Sequence, residues 1–277
     1  MTSYKETYPL IALDMDGTLL NSKRTISPLT RQALERISAQ GVEVVLSTGR
    51  CCGELAPYLD ILPEMNYYIM ESGACVYDAK NKKTVYSAPL TEKEVAYIMD
   101  IIGEAEVTYQ FFLDNESYLS IEPEELAYYH MDKNADIYNA TAIFKKDLIE
   151  EYKKNPTPVE KVNLYFHDEK ERERVWNILK DSDFALASSL ESILEISSPK
   201  ANKGIGLKSL CDYLKFDIEK VIAIGDSDND IDLLKTAGIP VAMGNALPEL
   251  KAIAKEVTSD CDHDGVAAVI NKYYMFQ

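Results

Sequence analysis

Apolar and polar positions alternate in blocks along the first third of the chain, and the blocks predict strand, helix and strand in turn. A wholly apolar block at 10–13 predicts a buried strand, and a periodic apolar face after Ser27 and Pro28 predicts a helix from about 28 to 40. Apolar blocks at 42–46 and 67–70 predict two further strands. Strands that alternate with helices indicate βαβ units and a parallel sheet.

The last third has the same pattern. An apolar face predicts a helix over 203–214, and short apolar blocks predict strands at 221–224 and 239–243. A helix is expected from about 229 to 237. We therefore expect the first and last thirds, residues 1–86 and 197–277, to form one discontinuous domain.

The middle third, residues 87–196, has a different character. The predicted elements are a helix starting at Thr91, strands at 107–113, 118–121 and 161–166, a charged helix at 168–179, and a strand pair within 184–196. These strands lack the tight polar turns that follow strands in the outer thirds. The pattern predicts an inserted α+β domain.

The charge balance argues against a nucleic-acid-binding role. The chain has 46 acidic and 29 basic residues, a net charge of −17 and a pI near 4.6, the reverse of a basic nucleic-acid footprint. No secretory signal is expected at the N-terminus, and no apolar run is long enough to span a membrane. Five cysteines without paired metal spacing predict a reduced cytoplasmic protein, and the adjacent Cys51 and Cys52 leave a redox role open.

Two carboxylates follow the first strand. Asp14 and Asp16, separated by Met15 and followed by Gly17, stand at the end of the block at 10–13, where ligands of open α/β sheets bind. Alternate residues of an extended chain share a face, so both carboxylates can reach one cleft. At about 4 Å they would repel by about 4 kcal/mol at an effective dielectric near 20, which indicates a hard cation such as Mg²⁺. The alternative is an acidic turn, because Asp-Gly after a strand also forms hairpins.

Three other polar segments accompany this pair. Ser47-Thr48-Gly49-Arg50 follows the second strand, Lys203 begins a helix, and a Gly-Asp-Ser-Asp-Asn-Asp run at 225–230 follows the strand at 221–224. In type, order and spacing, the four segments resemble the motifs of haloacid dehalogenase (HAD) superfamily phosphatases. The match is closest to the Cof-type branch with a class IIB cap, whose members include broad-specificity sugar phosphatases. The residues at 202–204, 224–226, 244–246 and 264–266 also resemble the sequence of this branch. In contrast, Ser72-Gly73-Ala74 stands where this branch often has Asn-Gly-Ala.

The resemblance implies an α/β fold, with a Rossmann-like parallel-sheet HAD core and an inserted α+β cap domain. It implies that Asp14 is the nucleophile, forming an aspartyl-phosphate, and that Asp16 is the general acid and base. It also implies that Asp14, Asp226 and the backbone carbonyl of Asp16 bind Mg²⁺. Asp230 is expected to contact these ligands and not the ion itself.

The phosphate is expected to bind to residues from several of these segments. The hydroxyl of Thr48 and the backbone N–H groups near Met15 and of Gly49 form a small anion site, and Asn229 and Lys203 complete it. From the residues alone, other roles stay open: Asp14 as a metal ligand only and Lys203 as a surface lysine. The acidic run at 226–230 is equally typical of a helix cap, and which of its aspartates touches an ion is not fixed.

These features predict a Mg²⁺-dependent phosphatase of the cytoplasm that hydrolyses a small phosphorylated metabolite, expected to be a sugar phosphate, through an aspartyl-phosphate. One alternative is a phosphomutase, which passes the phosphoryl group back to a sugar. The other is a non-enzymatic protein that uses a metal site for sensing or interaction. The presence of Asp14, Asp16, Lys203 and Asp226 together favours an enzyme.

Overall fold

The computed structural model describes residues 7–62, 65–188 and 192–274, and these divide into two compact units. The first unit contains the described residues up to Gly49, those from Tyr58 to Ser87 and those from Asn202 onward. The second contains Arg50–Pro57 and Ala88–Ala201. Residues 50–57, which we expected in the discontinuous domain, cluster with the second unit because Gly53 donates its N–H to the carbonyl of Asn115 at 2.9 Å.

The strands are β1 (Leu10–Leu13), β2 (Glu43–Ser47), β3 (Tyr67–Met70), β4 (Cys75–Asp78), β5 (Lys83–Ser87), β6 (Val107–Leu113), β7 (Glu116–Leu119), β8 (Ala142–Phe144), β9 (Lys161–Phe166), β10 (Ala185–Ala187), β11 (Ile193–Ser197), β12 (Val221–Gly225), β13 (Ile239–Ala242) and β14 (Glu256–Val257). The α-helices are α1 (Pro28–Ser38), α2 (Cys52–Leu55), α3 (Glu92–Ile102), α4 (Ala135–Thr141), α5 (Leu148–Lys154), α6 (Glu169–Leu179), α7 (Lys203–Leu214), α8 (Ile231–Thr236), α9 (Pro248–Ile253) and α10 (Gly265–Tyr273).

The first unit is built on an eight-stranded sheet in the order β14-β13-β12-β1-β2-β3-β4-β5. The strands from β14 to β3 pair in parallel, and β4 and β5 extend the sheet as antiparallel strands. The central strands β1 and β12 are buried along their whole length, as both faces of a parallel sheet must be. The strands β2 and β12 flank β1 on opposite sides, so the strand order extends in opposite directions on the two sides of β1. Open α/β sheets bind ligands at such a switch point in the strand order.

Local signals set the first helix. The side chain of Ser27 accepts the N–H of Thr30 as the N-cap of α1, and Pro28 occupies the first turn, where it needs no hydrogen-bond partner. The helix buries the predicted face of Ala33, Leu34 and Ile37 but ends at Ser38 rather than at about 40.

The second unit is an α+β structure around a six-stranded sheet in the order β10-β11-β9-β6-β7-β8. Its strands pair antiparallel, apart from β7 and β8, which are parallel. One apolar cluster joins side chains of α3, α5 and α6 to β6 and β9, and a second joins residues of the 119–138 segment to Tyr165 and Ile193. The parallel-sheet α/β core and the α+β second unit are the predicted fold class.

Several element boundaries differ from the prediction. The strand expected at 118–121 is β7, which begins two residues earlier at Glu116, and the helix expected at 229–237 is a 3₁₀ turn at Asp228–Asp230 followed by α8. The strand pair expected within 184–196 is β10 and β11, and residues 189–191 of that segment lie outside the described residues. Among the described residues, no helix combines the length and apolarity needed to cross a membrane.

Candidate active site

The carboxyl ends of three neighbouring parallel strands carry the predicted site residues of the first unit. Asp14 follows β1, Thr48 follows β2, and Asp226 follows β12. The N–H of Asp14 donates to the carbonyl of Ile224 at 3.0 Å, which continues the pairing of β1 and β12 to the end of both strands. Sheet register therefore brings residues that are some two hundred positions apart to one edge.

The loop after β1 turns sharply between a buried and an exposed carboxylate. Asp14 is only 5% exposed and Met15 is fully buried, whereas Asp16 is exposed. Gly17 has a φ of +85°, and a Cβ at this position would lie 2.5 Å from Oδ2 of Asp226. Only glycine allows both this backbone conformation and the close approach of Asp226.

Lys203 lies at the centre of the site and is fully buried. Its Nζ donates to Oδ1 of Asp14 at 2.6 Å, to Oδ1 of Asp230 at 2.6 Å and to Oδ1 of Asn229 at 3.1 Å. Burial lowers the pKa of Lys203, but the two carboxylates outweigh this effect and raise it above its ordinary value. The lysine is therefore a fixed positive charge in the site, and it is not a surface lysine.

Asp230 accepts hydrogen bonds from the backbone of the loop that carries Asp226. Its Oδ2 accepts the backbone N–H groups of Asp226 at 3.0 Å and Ser227 at 3.1 Å, and its Oδ1 accepts from Lys203. The same residue thus contacts both the loop after β12 and the lysine.

Three carboxylates converge closely enough to hold a metal ion. Oxygen atoms of Asp14, Asp226 and Asp230 all lie within 4.8 Å of one another, and the carboxylate of Asp16 is not one of this group. Hard oxygen donors of this kind suit Mg²⁺. The residues present therefore fit a divalent cation.

The pKa values of the site show how unfavourable this convergence of charge is without a cation. Burial raises the pKa of Asp14 well above its ordinary value, and Asp230 and Asp226 add to the rise while Lys203 opposes it. Burial also raises the pKa of Asp226 to about 6, against a hydrogen bond from Thr18. One lysine does not balance three carboxylates, which favours a second cation at the site.

Apart from Lys203, the expected phosphate-binding residues lie on the loops that follow β1, β2 and β12. Thr48 is buried, its N–H donates to the carbonyl of Ile69 at 2.8 Å, and its carbonyl accepts the N–H of Ser72 at 3.0 Å, so its backbone is fixed by β3 and by the turn after it. Asn229 turns its Oδ1 toward Lys203 and toward the hydroxyl of Ser227, at 2.9 Å from the latter. Gly49 and Met15 come next after Thr48 and Asp14, on the loops that follow β2 and β1.

The turn after β3 packs against the residue that precedes Lys203. Glu71, Ser72 and Gly73 all have positive φ angles, of 53°, 56° and 97°. A Cβ on Gly73 would lie 2.1 Å from the carbonyl oxygen of Asn202, the N-cap of α7. The turn therefore sets where the helix that carries Lys203 begins.

Two residues of the site were not predicted. Thr18 donates its hydroxyl to Oδ1 of Asp226 at 2.7 Å, and the side chain of Asn245 donates to the carbonyl of Gly17 at 2.8 Å and to Oδ2 of Asp226 at 3.3 Å. The only sequence signal for Asn245 was its place in a Gly-Asn-Ala run after the strand at 239–243.

The second unit contains a separate buried polar network. Gln110 donates to Oε1 of Glu54 at 2.9 Å and to the hydroxyl of Ser117 at 2.7 Å, and its own carbonyl oxygen accepts from Asn163 and Tyr165 at 2.9 and 2.7 Å. Cys51, next to this network, is buried, and Cys52 is exposed.

Comparison with known proteins identifies the family. A family model described as haloacid dehalogenase-like hydrolase matches residues 11–270. The chain belongs to this family. It is 33% identical over 278 residues to Phosphatase YwpJ of Bacillus subtilis, with 93% of this chain and 97% of that protein covered. It is 30% identical over 278 residues to the 5-amino-6-(5-phospho-D-ribitylamino)uracil phosphatase YitU of the same organism, with 97% and 99% covered.

Solved structures of the family have the same fold. A haloacid dehalogenase-like hydrolase from B. subtilis superposes with a TM-score of 0.85 at 28% identity, covering 95% of this chain and 99% of that one. The HAD subclass IIB sugar phosphatase BT4131 superposes with a TM-score of 0.77 at 22% identity, covering 96% and 99%. The predicted superfamily, its fold class and the enzyme class, a HAD-type phosphatase, are confirmed.

Proposed function

We propose that this HAD-family phosphatase is Mg²⁺-dependent and hydrolyses small phosphomonoesters of the sugar-phosphate class through an aspartyl-phosphate. The observation that carries the proposal is the buried contact of Lys203 with Asp14 beside Asp226. A nucleophilic carboxylate, a fixed cation and a further carboxylate at one strand edge are the parts that phosphoryl transfer to an aspartate requires.

The ligands proposed for Mg²⁺ are the carboxylates of Asp14 and Asp226 and the backbone carbonyl of Asp16. When bound there, Mg²⁺ supplies positive charge that offsets the carboxylates and the oxygens of the transferring phosphoryl group. Asp230 is proposed to support these ligands and not to bind the ion, because Lys203 and two backbone N–H groups already use both of its oxygens.

In the first step, an oxygen of Asp14 attacks phosphorus, and the bond from phosphorus to the leaving oxygen breaks. Asp16 gives its proton to that oxygen, which leaves as an alcohol, and later takes a proton from the water that hydrolyses the aspartyl-phosphate. The exposed carboxylate of Asp16 suits this exchange of protons, and the buried carboxylate of Asp14 suits attack.

The remaining residues hold the phosphoryl group. Lys203 stabilises its negative charge, and the hydroxyl of Thr48, the amide of Asn229 and the N–H groups of Gly49 and the Met15 region bind its oxygens. The segment 87–196 is proposed to be the cap domain that selects the leaving group. A ribityl phosphate is the substrate in the name of one relative, which supports a polyhydroxylated phosphomonoester here.

The test uses purified protein, Mg²⁺ and a panel of sugar phosphates, polyol phosphates and nucleotides, scored by release of inorganic phosphate. Asp14→Asn is expected to lower kcat by roughly 10⁴-fold or more, the scale on which removal of a nucleophile acts. Asp212→Asn makes the same change of charge at an exposed position on α7 and is expected to retain activity.

Metal and product complete the test. Chelation should abolish phosphate release, and added Mg²⁺ should restore it. Activity of Asp14→Asn near the parent rate would contradict the nucleophile assignment. Formation of an isomerised sugar phosphate in place of inorganic phosphate would identify a phosphomutase. A cytoplasmic location, proposed from five cysteines without paired metal spacing, is tested by fractionation.

A further inference from the structure

Asn245 joins three loops of the first unit through one side chain. It lies after β13, in the run that follows Ala242. Its Nδ2 donates to the carbonyl of Gly17 at 2.8 Å and to Oδ2 of Asp226 at 3.3 Å, and its Oδ1 accepts the N–H of Cys261 at 3.1 Å. The partners come from the loop after β1, the loop after β12 and the turn before α10.

The chemistry of these partners allows only one orientation of the amide. Two carbonyl or carboxylate oxygens face the nitrogen, which has two hydrogens to donate, and one N–H faces the oxygen. A flipped amide would set its oxygen against Gly17 and Asp226 and its nitrogen against the N–H of Cys261. The side chain is therefore held by its surroundings although the residue is exposed.

The two oxygens of Asp226 are each bonded by a different loop. Thr18 donates to Oδ1 at 2.7 Å from the loop after β1, and Asn245 donates to Oδ2 from the loop after β13. The backbone of the same region is fixed separately, because Leu247 donates its N–H to the carbonyl of Asp226 at 3.0 Å. The hydrogen bond from Asn245 therefore fixes the orientation of the Asp226 carboxylate, and the hydrogen bond from Leu247 fixes the backbone of Asp226.

We propose that Asn245 is a positioning residue that orients the carboxylate of Asp226 and holds the loop of Asp14 to Gly17 in place for Mg²⁺. The inference rests on the proposed function, since it takes Asp226 as a ligand of the ion. Residues that hydrogen-bond to metal ligands fix the ligand geometry, and their loss typically weakens metal binding or activity by about 10- to 100-fold.

The experiment measures Mg²⁺ binding to the substrate-free protein by calorimetry, and separately the Mg²⁺ concentration that gives half-maximal activity. Asn245→Ala removes all three hydrogen bonds, and Asn245→Ser keeps a polar group that is too short to reach both oxygens. Asn271→Ala is the matched control, because Asn271 is also exposed and accepts a hydrogen bond from Arg36 away from the carboxylates.

We expect Mg²⁺ affinity to fall about 10- to 100-fold in both Asn245 variants. We expect the melting temperature without Mg²⁺ to stay close to that of the parent, because the side chain is exposed and its removal leaves no cavity. At saturating Mg²⁺ the KM for substrate should be unchanged, since Asn245 is not placed against the phosphate. Asn271→Ala should bind Mg²⁺ like the parent.

Mg²⁺ affinity within twofold of the parent in both Asn245 variants would overturn the inference. So would an equal loss in Asn271→Ala, and so would a parent protein that binds no divalent cation. If Asn245→Ala does not fold, Asn245→Ser decides the matter. A parent that binds Mg²⁺ but hydrolyses no phosphomonoester would contradict the proposed function, while the calorimetric comparison would still test Asn245.

Discussion

The ammonium group of Lys203 lies 2.6 Å from Oδ1 of Asp14, although 189 positions separate the two residues along the chain. The contact joins the first residue of α7 to the end of β1, and both groups are buried. The contact places the carboxylate of Asp14 beside the ammonium of Lys203, an arrangement that neither segment of the chain provides alone.

The first prediction concerns this contact. Lys203→Met keeps the length of the side chain but removes its charge, and it leaves Asp14 and Asp230 buried without their common partner. Loss of one electrostatic stabiliser is expected to lower kcat by about 10²- to 10³-fold. Removing one side of a buried ion pair is also expected to lower the free energy of unfolding by about 3–5 kcal/mol in the absence of metal.

The measurements are steady-state phosphate release at saturating Mg²⁺ and urea unfolding in chelator. Lys208→Met is the control, since Lys208 is exposed on the same helix and its loss should change neither quantity. Parent-like kcat in Lys203→Met would remove the lysine from the proposed mechanism.

The second prediction concerns the turn that sets the start of α7. Gly73→Ala must accommodate a Cβ that would lie 2.1 Å from the carbonyl oxygen of Asn202, at a φ of +97°. Backbone strain and overpacking together are expected to cost at least about 2 kcal/mol of unfolding free energy. Activity should fall too, because Lys203 follows Asn202 directly.

Gly103→Ala separates the two causes. Gly103 also has a positive φ, of +59°, but the nearest atom to an added Cβ is the carbonyl oxygen of Asp100 at an ordinary 3.8 Å. The strain of this backbone conformation alone is expected there, at about 1–2 kcal/mol, which is less than strain and overpacking together, with no change in activity. Equal unfolding free energies for the two variants would show that the close approach to Asn202 relaxes without cost.

Local pattern predicts most of the core of the first unit. The strand β3 and the helix α7 have the predicted limits. A strand that is buried on both faces reads as a continuous apolar run, and a helix that is buried on one face reads as apolar residues at helical spacing. The sequence also places Asp14 and Asp226 after strand ends and Lys203 at a helix start, and the structure has them at these positions.

The strands and site residues that the local sequence pattern does not predict depend on contacts between distant segments of the chain. The strands β4 and β5 were not predicted, because they mix polar and apolar residues and gain their pairing from the edge of the sheet. Thr18 and Asn245 contact Asp226 only after the sheet register is set, from 208 and 19 positions away. A threonine or asparagine in a loop has no local signal that distinguishes such a role.

The third prediction is a dependence of stability on pH. Glu54 is buried, and burial raises its pKa above the ordinary value of 4.5, with Lys161 and Arg50 opposing the rise. The folded protein therefore binds a proton at Glu54 more tightly than the unfolded chain does. By linkage, this residue lowers the free energy of unfolding as pH rises above about 4.5, by about 1.4 kcal/mol for each unit that separates the two pKa values.

Glu54→Gln removes this titration. The unfolding free energy of the variant relative to the parent should therefore increase from pH 4.5 upward and level off above the folded pKa, as followed by denaturant unfolding between about pH 4 and 8. Glu150→Gln, at an exposed position on α5, should show no such trend. A flat difference across this range for Glu54→Gln would mean that the residue is not destabilised by burial.

The last prediction concerns the ion pair between Lys161 and Glu195 in the second unit. The ammonium lies 3.0 Å from Oε2 of the glutamate, and the side chains are only 2% and 10% exposed. The same ammonium lies 4.6 Å from the ring centre of Phe112 and attracts the carboxylate of Glu54. A buried pair contributes little over an apolar pair of equal size, but a single buried charge is costly.

Lys161→Met is therefore expected to lower the free energy of unfolding by about 3–5 kcal/mol, because it removes the ammonium that forms the buried ion pair with Glu195. Glu195→Leu should cost less, since Glu54 remains as a partner for the ammonium. The double variant should recover most of the loss at Glu195, so that a double-mutant cycle from urea unfolding gives strongly non-additive free energies. Additive losses in that cycle would show that the two charges are stabilised by their other neighbours and not by each other.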